Sequence, residues 1–269
     1  MGETTIAWTN FSFNPWIGCT KVGPGCDHCY AESWNKRFAS DGSAPNWGPG
    51  APRRRTRPQN WGRVRTWNNK AAGSGKPVWV FAASLADIFD NEADPQDFID
   101  FWTLVRECPN LQFQIVTKRI GNVSKMLKQE AMRGVLRGAR NFGIIATVVT
   151  QAECDRDLQK LCDVKFFDNV PWIGLSIEPQ LERVRPRIPR ILDWVITGGE
   201  SDQRGAKARP YDPDWARLLI RDGAEFGYPV FVKQMGSNPI GLRLRDGAGA
   251  WPDEWPEDLR VRQWPQVRS

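Results

Sequence analysis

The chain has 269 residues, with 37 Lys and Arg against 31 Asp and Glu, six Cys, one His and 14 Trp. That length allows one large domain or two small ones, and 41% hydrophobic with 25% charged residues excludes wholesale disorder. No apolar run reaches the roughly 18 residues of a membrane span, and the opening MGETTIAWTN has neither the basic nor the apolar region of a secretory signal. A cytoplasmic location is expected, where Cys residues serve as ligands, nucleophiles or core fillers before disulfides. Charge is uneven: residues 1–76 hold 11 basic and 4 acidic residues, a balance of +7, and the other 193 hold 26 and 27, a balance of −1. The basic first quarter is either a solvated surface or a patch facing a polyanion.

In chain order, residues 13–18 (FNPWIG) form a candidate strand weakened by its proline, and residues 30–38 read as a helix. Residues 38–76 are rich in Gly, Pro, Asn and Arg and show no period, which reads as a long functional insertion. Six β-rich apolar runs follow at 78–83, 111–116, 142–149, 172–177, 192–196 and 229–232. Helical spacing marks 95–107, 120–137, 151–162 and 213–226 between them. Residues 236–269, with Trp251, Trp255 and Trp264, read as an irregular C-terminal wrap. Near-continuous apolar strands separated by helices indicate a mainly parallel sheet buried on both faces. The expected fold is α/β, a complete or partial (β/α) barrel over residues 1–269.

The strongest chemical signal is Cys19-Thr-Lys-Val-Gly-Pro-Gly-Cys26-Asp-His-Cys29, a C-x6-C-x2-C loop. Gly23, Pro24 and Gly25 let the backbone curl so that three thiolates can converge. Three readings stand. A structural zinc site wants four ligands, and His28 lies awkwardly between two of the cysteines. A [4Fe–4S] cluster can be held by three Cys with one iron open. The loop can also be fortuitous. A disulfide would leave an odd thiol. Cys108, Cys154 and Cys162 are isolated and read as buried fillers.

In a β/α barrel, reactive groups gather at the C-terminal ends of strands. Those ends carry Ser84 and Asp87; Thr117, Lys118 and Arg119; Thr150 and Gln151; Ser176 and Glu178; Gly198, Gly199, Glu200 and Ser201; and Lys233 and Gln234. As a set they mark a ligand-binding mouth. The Gly198-Gly199 pair would let backbone N–H groups approach a ligand, with Glu200 holding an ammonium or ribose hydroxyls. Glu178 and Glu200 also suit acid–base chemistry or a divalent metal. Arg53, Arg54, Arg55, Arg57, Arg63 and Arg65 surround Trp61, a mixture suited to phosphates and an unpaired base. The alternative is a solvated loop whose Trp residues pack on the barrel. A second group, Arg183, Arg185, Arg187 and Arg190, would widen the patch.

The run Asn14-Pro-Trp-Ile-Gly-Cys19 through Cys29-Tyr-Ala-Glu32 resembles a phage-associated three-Cys-motif family. So do Ser84-Leu-Ala-Asp87-Ile-Phe89, Thr117-Lys-Arg119, Ser176-Ile-Glu178-Pro179, Gly198-Gly-Glu-Ser201, Lys233-Gln234 and Glu254-Trp-Pro-Glu-Asp-Leu-Arg-Val-Arg262. That family is similar in organisation to radical S-adenosylmethionine (SAM) enzymes. Their second Cys gap matches, with His28 in the aromatic position, whereas the first gap here is six residues instead of three. The resemblance implies a [4Fe–4S] cluster on Cys19, Cys26 and Cys29. It also implies SAM held by His28, Tyr30, Ser84, Ser176, Gly198, Gly199 and Glu200, with Glu178 and Lys233 catalytic. The expected activity is radical modification of a nucleobase or nucleic acid, phage DNA included, with an external electron donor. A zinc-holding, non-radical nucleic-acid-binding protein is the alternative.

Overall fold

The computed structural model describes residues 4–39, 41, 43–188 and 190–267. Ser40 and Gly42 of the predicted insertion, and residues 268 and 269 of the predicted wrap, lie outside these. Seven parallel strands form one sheet: β1 (Phe11–Ser12), β4 (Val78–Ala82), β5 (Leu111–Thr117), β6 (Phe142–Thr147), β7 (Trp172–Ile177), β8 (Trp194–Gly198) and β9 (Val230–Gln234). They lie side by side in chain order, and β1 and β9 do not pair. Right-handed crossovers that always step the same way keep the helices on one face and curl the sheet, so the fold is an open half-barrel.

The first strand differs from expectation. The strand that joins the parallel sheet is Phe11–Ser12, ahead of the predicted 13–18 segment, which Pro15 interrupts. Beyond the proline, β2 (Trp16–Ile17) turns away and pairs antiparallel with β3 (Arg54–Arg55). The insertion is also more regular than its composition indicates. Pro58 at the first helical position opens α2 (Pro58–Ala71), which buries Trp61, Val64, Asn68 and Ala71 along one stripe.

The other helices follow their signals. Cys29 precedes the short α1 (Tyr30–Asn35). Asp94 caps α3 (Pro95–Glu107), Thr150 caps α5 (Gln151–Phe167) and Asp212 caps α6 (Pro213–Phe226), each through its side chain. Helix α4 (Ile120–Leu127) stops ten residues before the predicted end and gives way to turns. No helix among the described residues is long and apolar enough to cross a membrane.

Alternation along the strands sorts the two faces. Val80, Phe113, Ile115, Ile144, Ile173 and Leu175 face the helices. The concave face is packed with Trp8, Trp79, Phe81, Ile145, Trp172, Trp194, Ile196 and Phe231. The floor of the half-barrel is therefore filled with side chains. Burial pushes the Cys108 thiol up to about 11 and the Cys154 thiol up to about 12, consistent with protonated core fillers.

Candidate functional site

The cysteine loop lies across the C-terminal mouth and is fastened from three sides. At its start, Arg119, just past β5, donates from Nη2 to the Thr20 carbonyl at 2.8 Å and from Nη1 to Cys19 Sγ at 3.3 Å. Arg53 donates to Thr20 Oγ1 at 2.6 Å. Asp87 holds Arg119 in place while also accepting from Thr117 Oγ1 at 2.7 Å and the Lys118 N–H at 3.0 Å. Burial pushes the Cys19 thiol up to about 11, against the pull of the Arg119 charge.

In the middle of the loop, a Cβ on Gly25 would stand 2.8 Å from Val149 and 3.3 Å from Lys118 Cε. Glycine is what lets the turn Pro24–Cys26 settle onto the ends of β5 and β6. On the far side, Glu200 Oε2 meets His28 Nδ1 at 2.9 Å and accepts from the Arg209 N–H and Nε at 3.0 Å. Its Oε1 accepts from Arg209 Nη2 at 2.6 Å, and Arg209 Nη1 reaches the Pro24 carbonyl at 3.0 Å. Glu200 is thus the anchor of a latch that closes the loop on the mouth. At the loop's end, Cys29 packs with Ile17, Ala31 and Leu85, and the Tyr30 hydroxyl donates to the Ser84 carbonyl at 2.6 Å. Cys26 is buried, and Cys19 and Cys29 are half-buried. Among the described residues, no three His, Cys, Asp or Glu side chains stand in metal-holding geometry.

Residues 3–249 match the family described as a protein of unknown function, DUF5131. The chain belongs to that family. No curated protein and no solved structure matches it. The DUF5131 match takes in the whole cysteine loop, every strand and the Glu200–Arg209 latch, and ends before Arg262.

Several expected roles move once the contacts are known. The Gly198–Gly199 pair serves strand packing: a Cβ on Gly199 would lie 2.4 Å from the Met235 carbonyl oxygen, and the Gly199 N–H already donates to Gln234. Glu200 accepts from Arg209, and its Oε2 meets His28 Nδ1, so in this arrangement its carboxylate serves the latch. Ser84 Oγ belongs to a network with Ser12 and Asn14. Ser176 is buried on the inner face beside Thr147, whose hydroxyl has no partner. Glu178 and Lys233 are brought together as an ion pair at the mouth.

The Arg-rich segment divides. The Arg53 side chain is 1% exposed and paired with Asp90 and Glu92. Arg55 pairs with Asp97 and Asp100, and Arg65 with Glu107. Trp61 is 6% exposed, lies edge-on to Phe13 and is covered by the Arg55 guanidinium, so its ring is closed to a base. Arg54, Arg57 and Arg63 remain exposed. In the second group, Arg185 is bound to Asp222.

Arg119 was visible in the sequence as a strand-end residue. Arg209 was not, because it sits in an irregular segment nine residues beyond its partner.

The latch predicts a stability effect. Burial pushes the Glu200 carboxyl up, but the Arg209 and His28 hydrogen bonds outweigh this and hold it below its ordinary 4.5. Its contribution is therefore complete above that value and is lost as pH falls through the lower folded-state value. Glu200→Gln should cost about 2–3 kcal/mol at pH 7, as expected for losing charged hydrogen bonds in a part-buried site. The gap from the unsubstituted chain should close at acid pH. Urea titrations at pH 7 and below pH 4.5 check this, and a pH-independent gap would count against the latch.

Proposed function

We propose that this chain is an iron–sulfur enzyme of the radical SAM type, working in the cytoplasm on a nucleobase in a nucleotide or nucleic acid. The observation that carries the reading is a three-thiol loop fastened across the C-terminal mouth of a parallel half-barrel, where β/α folds place their chemistry. The donor set suits the group. Three soft thiols match what an iron–sulfur cluster takes and fall one short of a structural zinc site. Cys19, Cys26 and Cys29 would hold it, and Arg119, donating to Cys19 Sγ, offsets part of the burial that raises that thiol's pKa.

The chemistry such a cluster supplies when bound is reductive cleavage of SAM to a 5′-deoxyadenosyl radical, with electrons from an external donor. The chain's own residues do the rest. The floor of Trp8, Trp172 and Trp194 excludes water below the reacting groups. The Glu178–Lys233 pair holds a transferable proton at the mouth. Exposed Arg54, Arg57 and Arg63 support a polyanionic substrate.

Anaerobic reconstitution followed by metal and sulfide analysis tests the reading. The expected result is a brown protein with about four irons and matching sulfide per chain. Cys26→Ala should remain folded by circular dichroism and lose the iron. A colourless protein with one zinc per chain favours the non-radical nucleic-acid-binding alternative. Full iron in Cys26→Ala would remove that residue from the ligand set.

A further inference from the structure

Burying a guanidinium costs free energy unless a carboxylate faces it. Among the described residues, the arginines that are not fully exposed are Arg53, Arg119, Arg185, Arg209, Arg217 and Arg262. The first five each face a carboxylate within 4 Å. Arg262 faces none. Its guanidinium lies 5.4 Å from the ring centres of both Phe231 and Trp255. Nη2 makes long contacts to the Lys233 carbonyl at 3.3 Å and the Ala250 carbonyl at 3.5 Å, and the buried Nε has no partner. Burial alone acts on it and lowers its pKa. Stacking on two rings offsets part of the cost of burial but leaves the positive charge unmatched.

Its position is specific. Residue 262 pairs antiparallel with Phe231 at the outer edge of β9, the Val232 N–H bonds to Val261 and the Gln263 N–H to Val230. The segment therefore covers the sheet edge and sets Arg262 on the inner face. Strand register runs Thr147, Ser176, Ile196, Phe231, Arg262 along one inner row. That row carries an unpartnered hydroxyl at one end and an unmatched cation at the other. Lys233, two residues past Phe231 toward the mouth, is already neutralised by Glu178.

We propose that Arg262 is an oxyanion site at the β9 side of the mouth, binding a phosphate group of the substrate. Nη1, which has no partner among the described residues, and the weakly held Nη2 suit a phosphate oxygen pair, and the unmatched charge supplies the attraction. The proposal rests on reading the mouth as the substrate site. It does not need the cluster.

Calorimetric titration of the full chain with nucleoside monophosphates, the matching nucleosides, and a short single-stranded oligonucleotide tests it. A monophosphate or the oligonucleotide should bind at least tenfold tighter than the nucleosides. Arg262→Gln should reduce that binding to the nucleoside level, with iron content unchanged. Arg262→Lys, which keeps the charge but loses the fork, should fall between. A monophosphate that binds identifies a free nucleotide, and an oligonucleotide alone identifies strand phosphates. Equal binding of phosphorylated and unphosphorylated probes, no binding of any probe, or native affinity in Arg262→Gln overturns the proposal. Should Arg262→Gln fail to fold, native affinity in Arg262→Lys overturns it. Iron analysis of the same samples reads the cluster separately: phosphate binding through Arg262 in an iron-free chain leaves this site standing while the radical reading falls.

Discussion

Replacing Arg53 with Met should cost the folded chain about 3–5 kcal/mol, the range for breaking a buried ion pair. The guanidinium donates from Nε to Asp90 at 2.8 Å, and from Nη2 to Glu92 at 2.7 Å and Thr20 at 2.6 Å. Nη1 closes the turn through the Ala51 carbonyl at 2.6 Å and the Gly48 carbonyl at 3.1 Å. Methionine preserves much of the aliphatic stem, so the loss reports the charge and the hydrogen bonds more than the packing. Asp90, itself 1% exposed, keeps the Glu92 N–H at 3.1 Å but is left with Arg119 at 3.9 Å as its one cationic neighbour among the described residues. The neighbouring Arg54 is exposed, and Arg54→Met should stay within about 0.5 kcal/mol. Urea titration of the two variants measures the difference. Equal effects, or an Arg53 loss below about 1 kcal/mol, would falsify the clamp. An arginine that served a phosphate instead would change the salt dependence of binding and leave the fold intact.

The contrast between Arg53 and Arg54 shows where sequence reading stops. Pattern alone gave the six later strands and helices α3 and α6, because apolar runs and Asp–Pro starts act locally. Helix α2 was hidden because its buried stripe of Trp61, Val64, Asn68 and Ala71 has two weak members, set among Arg, Asn and Gly. Composition marked residues 53–65 as a basic face, but which arginines face outward depends on carboxylates 37 to 45 residues away. Asp90, Asp97 and Glu107 arrive from other elements and neutralise three of the six. The candidate site divides in the same way. The three cysteines and their place before α1 are written in a single loop. The latch is not, since Glu200 takes its meaning from Arg209 and His28, which only the fold brings together. Arg262 stands out by what it lacks, and a missing partner is invisible until the other arginines withdrawn from solvent have been paired.

Gly143→Ala should be strongly destabilising, by about 3 kcal/mol or more, at the upper end of overpacking costs. The residue lies within β6 on the inner face, directly opposite Trp172 in register. A Cβ there would stand 2.1 Å from Trp172 Cδ2 and Cε2, far inside van der Waals contact. The indole has little room to swing away, because Trp79 lies edge-on at 5.9 Å and Trp194 at 6.4 Å. Glycine in a strand interior ordinarily weakens it; here it makes space for the ring that closes the floor. If that contact is the cause, removing the ring should remove the penalty. Trp172→Leu alone should be costly through the cavity it opens, yet Gly143→Ala added to Trp172→Leu should cost less than about 1 kcal/mol more. The resulting coupling of about 2 kcal/mol or greater lies within the range for residues in contact. Thermal and urea unfolding of the three variants give the cycle. Additive losses would mean that the clash is relieved elsewhere, through movement of β6 itself, and the floor would then be softer than its packing indicates. A soft floor would in turn leave the mouth's inner row, Ser176 included, free to shift with whatever the half-barrel binds.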